Sequence, residues 1–157
     1  MAQTTIQQKQ SSRLLIALGS LWLILAAANL AYQLANPTLK VHWETATEIQ
    51  TAGFNIYRGT SSEDISTLVN QDGLIPSHGE DVSGASYTYV DDTIEVGQTF
   101  YYMIEEIEYD GQANRYDSDV FTAKIPYLTL WTAVITAVSA IVGLALIVTG
   151  LKEDRNL

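Results

Sequence analysis

The chain has 157 residues, 47% of them apolar, with 18 acidic and 8 basic side chains, a net charge of −10 and no cysteine. That length suits one ordinary domain, at ~100–200 residues per domain. So acidic a chain offers phosphate backbones no electrostatic footprint, which argues against nucleic-acid binding. Without cysteine there is no disulfide, no thiolate nucleophile and no Cys-based zinc or iron–sulfur site.

Residues 1–13 form a tail that carries Lys9 and Arg13 and no acid. Residues 14–35 then read LLIALGSLWLILAAANLAYQLA, a run of 22 without a formal charge. As a helix that run is ~33 Å long, at ~1.5 Å per residue. It is enough to span a hydrocarbon core of ~30 Å. Lys9 and Arg13 followed by an apolar stretch and Ala26-Ala27-Ala28 also fit a cleavable signal peptide. The apolar stretch runs on to Ala35, however, longer than the ~7–15 residues of a signal core, which favours an uncleaved anchor.

Residues 36–126 alternate short apolar runs with turn signals, the pattern of an all-β domain. Strands are expected at 39–44, 54–58, 66–70, 86–90, 99–109 and 119–125. The breaks hold Gly53, Asp72-Gly73, Ser83-Gly84, Gly97 and Asp110-Gly111, residues that tolerate turn dihedrals. Short, evenly spaced strands suggest a sandwich of two antiparallel sheets. Its core would hold Val41, Trp43, Phe54, Ile56, Tyr89, Phe100, Tyr102, Ile104 and Phe121.

Three segments of this region resemble the fibronectin type III family, an immunoglobulin-like β-sandwich. Leu39-Lys40-Val41-His42-Trp43 is similar to that family's second strand with its core tryptophan. Gly53-Phe54-Asn55-Ile56-Tyr57-Arg58 resembles the third-strand motif G-F-x-I-Y-R. Gly97-Gln98-Thr99-Phe100-Tyr101-Tyr102-Met103-Ile104 is similar to the sixth-strand motif G-x-x-Y-x-Y-x-[VI], and Asp110-Gly111 takes the place of the hairpin before the last strand. The likeness is greatest to bacterial modules and implies six to seven strands. Two departures stand out. Phe100 replaces a tyrosine whose hydroxyl would pin a corner, forgoing a hydrogen bond of ~0.5–1.5 kcal/mol. Ala35-Asn36-Pro37 leaves almost no chain for a first strand, which is expected to be missing or a stub.

Residues 127–151, YLTLWTAVITAVSAIVGLALIVTGL, are 25 without a charge and form a second expected span, with Pro126 and Lys152 at its ends. Ala133 with Ala137, and Ser139 with Gly143, are small pairs four apart that let helix backbones approach closely in lipid. Asn29 in the first span is a polar side chain in need of a partner. These five residues are the helix-packing candidates, for contact between the two helices or with partner subunits. Neither span contains Asp, Glu, Lys, Arg or His, which argues against a proton relay, an ion path or a histidine-ligated tetrapyrrole.

Residues 152–157 form a second tail, with Lys152 and Arg155 against Glu153 and Asp154. The region between the spans holds four basic and 16 acidic residues, a net of −12. Basic residues beside the spans favour the cytoplasmic side. The expected topology is two-pass, in the cytoplasmic membrane, with both termini inside and the domain outside.

The acids of the domain raise the question of chemistry. Asp110, Asn114, Asp117 and Asp119 cluster as weak calcium candidates, but calcium takes about 6–8 oxygens and their spacing is not that of an EF-hand. A glycosidase-like carboxylate pair would need a cleft that so small a sandwich hardly provides. Strand alternation puts Glu106 on the core face, explained by a bulge, a strand end or a pairing with Arg115. His42 should face outward, and neither it nor His78 belongs to a nucleophile motif. No cofactor is expected. The residues point to a non-enzymatic membrane protein, an accessory or structural subunit whose partners are lipids and other integral membrane subunits. Tyr57, Tyr87, Tyr101, Tyr109 and Tyr116 are candidate contact residues. The alternative is a membrane-anchored surface module that recognises protein or carbohydrate.

Overall fold

The computed structural model describes residues 2–80 and 82–155, and the chain divides into two compact units. One comprises the two chain ends, up to Asn36 and from Leu128; the other is Pro37–Tyr127.

The first unit is a pair of helices, α1 (Ala2–Ala35) and α2 (Leu130–Arg155). Both are long and apolar enough to cross a membrane, and two such helices at opposite ends of the chain suggest a two-pass membrane protein. α1 extends beyond the expected span, back through Arg13 and Lys9, because the Gln-rich tail contains no glycine or proline to break it. α2 begins at Leu130 rather than 127, where Thr129 caps it by accepting the Thr132 N–H at 3.2 Å. Lys152 and Arg155 fall in its last turn, where positive charge complements the helix dipole.

The helices run antiparallel and meet through small residues. A Cβ on Gly19 would lie 2.6 Å from the Gly143 carbonyl oxygen, and one on Gly150 would lie 2.7 Å from the Ser12 carbonyl oxygen. Ser12, Gly143 and Gly150 are buried. Ser12 and Gly19 are seven residues apart, as are Gly143 and Gly150, the repeat that keeps one seam facing a partner helix. Gly143→Leu should force the backbones apart and lower the stability of the pair by ~1–3 kcal/mol, read as a lower thermal midpoint in detergent.

The second unit has two antiparallel sheets. β1 (Leu39–Glu44) pairs with β5 (Ser86–Asp91) in a two-stranded sheet, with Val41 opposite Tyr89 and Trp43 opposite Tyr87. The larger sheet runs β3 (Thr67–Leu68), β2 (Thr51–Gly59), β6 (Thr99–Glu108), β7 (Ala113–Arg115), with β4 (Ile75–Pro76) also on β2 and β8 (Phe121–Lys124) also on β6. Alternation builds β1: Leu39, Val41 and Trp43 turn inward while Lys40, His42 and Glu44 are exposed. This arrangement fits a β-sandwich.

The strands differ in detail from those expected. The third shrinks to two residues, and a further two-residue strand, β4, appears at Ile75–Pro76, where proline has no N–H to extend the ladder. The last expected strand is shortened: Asp119 belongs to a one-turn 3₁₀ helix, Asp117–Asp119, and Phe121–Lys124 is the part that pairs with β6. Among the described residues no strand lies between the end of α1 and β1, so β1 is an edge.

The core unites Val41, Ile56, Val69, Ile94, Phe100, Tyr102 and Ile125, with Trp43, Tyr89, Ile104 and Phe121 partly buried against it. Val69, Ile94 and Ile125 come from strand ends and loops, where alternation does not point to them. Gly97 makes the turn into β6 with φ +79° and donates its N–H to the Ile125 carbonyl at 2.8 Å, a conformation suited to glycine.

Candidate functional site

Two buried carboxylates fasten the sandwich at opposite ends of β5. Asp91, 1% exposed, accepts from Arg58 Nη1 at 2.5 Å, Tyr102 Oη at 2.8 Å, and the Thr93 N–H and hydroxyl at 3.0 and 2.8 Å. Burial raises its pKa, but these donors together hold the carboxyl below the usual range. The same burial, and then Asp91 itself, push the Tyr102 phenol up. The Arg58 guanidinium also lies 4.9 Å over the Phe100 ring. The buried hydroxyl of this strand is thus supplied by Tyr102, two residues after Phe100.

Glu48, in the loop after β1, accepts from Thr45 Oγ1 at 2.5 Å, the Gly79 N–H and Tyr87 Oη both at 2.7 Å, and the Ser77 hydroxyl. Burial opposes its ionisation, yet the hydrogen bonds prevail and pull the pKa from 4.5 down to about 2. A Cβ on Gly79 would collide with the Glu48 carboxyl, so only glycine brings this N–H so near. Tyr87 is not a surface contact residue: it is 3% exposed and stacks on Trp43 with ring centroids 5.0 Å apart.

The acids of β6 are likewise engaged. Glu105, not Glu106, pairs with Arg115, accepting its Nε–H at 2.7 Å and the Asn55 amide at 3.0 Å. Burial raises the Glu105 pKa, but Arg115 and Asn55 outweigh it and the net shift is downward. Arg115 stacks over Tyr57 at 4.3 Å. Glu106 accepts from the Thr51 hydroxyl and from Tyr116 Oη at 2.5 Å, and with burial this pushes the Tyr116 phenol up to about 12. Tyr101 is half-buried, while Tyr109 and Tyr116 are exposed.

The calcium candidates lie along the stretch from the β6–β7 hairpin to the 3₁₀ turn. Asp110 accepts the Gln112 N–H at 2.9 Å, Asn114 donates to Glu108 at 2.7 Å, and Asp117 and Asp119 share the turn. Among the described residues no group of three or more acids and histidines is placed to hold a metal ion.

A cleft of about 360 Å³ opens beside β1, lined by Trp43, Phe54, Ile104 and Phe121 within and by Glu44, Glu106 and Asp119 among its polar residues. Trp43 Nε1 is buried and finds no acceptor among the described residues. His42 lines the cleft from the exposed face of β1 and lies 3.6 Å from Glu44.

In the helix pair, Gly143 lies against Leu23 and Gly19, and Ala133 is half-buried, whereas Ala137 is exposed. Asn29 and Ser139 come together with Trp22, Ala26 and Thr136 around a groove of about 170 Å³. The Thr136 hydroxyl is buried there with no partner among the described residues. Ser12, Gly19 and Gly150 belong to the seam as well; their seven-residue spacing was the signal that short pairs four apart do not register.

Comparison of the chain with protein-family models, curated proteins and solved structures finds no match.

A carboxyl with a depressed folded pKa stabilises the fold above its unfolded value, and that stability disappears as pH falls through the folded value. For Glu48 the window runs from 4.5 down to about 2 and carries roughly 3 kcal/mol. Glu48→Gln should therefore lower stability at pH 7 and flatten the acid limb, followed by near-ultraviolet circular dichroism; Asp91 and Glu105 leave a residual slope of the same sign. Asp91→Ala strands a largely buried arginine and should cost ~3–5 kcal/mol, while the exposed Asp119→Ala should cost within ~0.5 kcal/mol.

Proposed function

We propose that this chain is a non-enzymatic, two-pass accessory subunit of a larger complex in the bacterial cytoplasmic membrane. Both tails lie in the cytoplasm, and a fibronectin type III-like sandwich lacking its first strand lies outside. The observation that carries this reading is the helix pair itself. Its seam is closed by glycines, and it carries a groove lined by Asn29, Thr136 and Ser139, a polar site that in lipid is met best by another helix. The buried acids support a structural role, since Asp91, Glu48 and Glu105 are spent on internal donors. The cleft beside β1 favours a second reading, a membrane-anchored recognition module that binds protein or carbohydrate.

Extraction in mild detergent, followed by mass spectrometry, should recover integral membrane partners with the chain. Asn29→Leu with Thr136→Val should reduce that recovery while leaving the chain in the membrane; a chain that elutes alone overturns the reading. Because there is no native cysteine, topology is read directly. Tyr109→Cys should react with a membrane-impermeant maleimide on intact spheroplasts, and Gln10→Cys only after permeabilisation.

A further inference from the structure

β1 is half of a two-stranded sheet, and among the described residues no strand pairs with its outer edge. On an antiparallel strand every second residue directs its N–H and C=O to one side, so this edge offers a row of free main-chain donors and acceptors. The cleft lies along the same strand, floored by Phe54, Ile104 and Phe121. Trp43 lines it too, and its buried indole N–H meets no acceptor among the described residues. Glu44, Glu106 and Asp119 line it, with no lysine or arginine among the described lining residues.

We propose that the edge of β1 and its cleft form a docking site for an extended, basic segment of a partner protein, which adds as a third strand. Main-chain hydrogen bonds along residues 39–44 hold the segment. One apolar side chain enters the cleft, and alternate lysines or arginines meet Glu44 and Asp119. Charge decides the occupant: the domain's net −12 repels a second copy and favours a basic partner. The site names the contact surface of the accessory-subunit reading and rests on that reading for its partner.

The test uses the full-length chain in detergent and a capped nonapeptide of alternating lysine and valine. Saturable binding is expected, with a shift of one indole N–H resonance, assigned to Trp43 by its loss in Trp43→Phe. Glu44→Lys with Asp119→Lys, both at exposed positions, should weaken binding by about tenfold or more. A peptide of equal charge interrupted by prolines cannot form the ladder and should not bind. Equal binding of the interrupted peptide, an unmoved Trp43 resonance, or a dimer of this chain through β1 that excludes the peptide each overturns the proposal. If membrane partners still copurify while the peptide fails, only the strand-addition site falls; if no partners copurify, the accessory reading falls regardless of the peptide.

Discussion

Asp91 holds the two sheets of the domain together. It ends β5 in the small sheet and receives Arg58 from β2 and Tyr102 from β6 in the large one, so one carboxylate joins three strands across the interface. A buried ion is costly to desolvate, and what offsets the cost here is the number of donors, four on two oxygens. Glu48 repeats the device at the other end of β5 without any cation, relying on hydroxyls and one backbone N–H. A sheet of two strands has little ladder to stabilise it. The two acids give it fixed attachments that apolar packing alone would leave free to slide.

The helix pair obeys a different solvent. In lipid, apolar side chains gain nothing by meeting each other, so the seam depends on close backbone approach at Gly19, Gly143 and Gly150. Large apolar residues such as Trp22, Leu25, Trp131 and Ile141 are left on the outside, as a hydrocarbon surrounding allows. The groove at Asn29, Thr136 and Ser139 interrupts that apolar surface.

Much of the architecture was legible because its signals are local. Leu39, Val41 and Trp43 alternate with polar residues, and Gly53 to Arg58 and Gly97 to Ile104 carry enough pattern to place β2 and β6. The short strand β7 and the late start of the last strand were not legible, since β7 follows from Arg115 meeting Glu105 and the late start from a turn at Asp117–Asp119. Glu48 was overlooked for the same reason: its partners come from residues 45, 77, 79 and 87, and nothing near it in sequence announces a buried acid. Glu106 drew attention through its place in the alternation, but its neighbour Glu105 takes the arginine, because Arg115 pairs across from it in register.

The open border of β1 also bears on how the cell must make this protein. A strand with unsatisfied main-chain groups adheres to whatever extended chain it meets first. Under the proposed docking, copies made in excess of the partner would keep that adhesive rim unguarded, so matched production of the two parties would protect the fold as much as serve assembly.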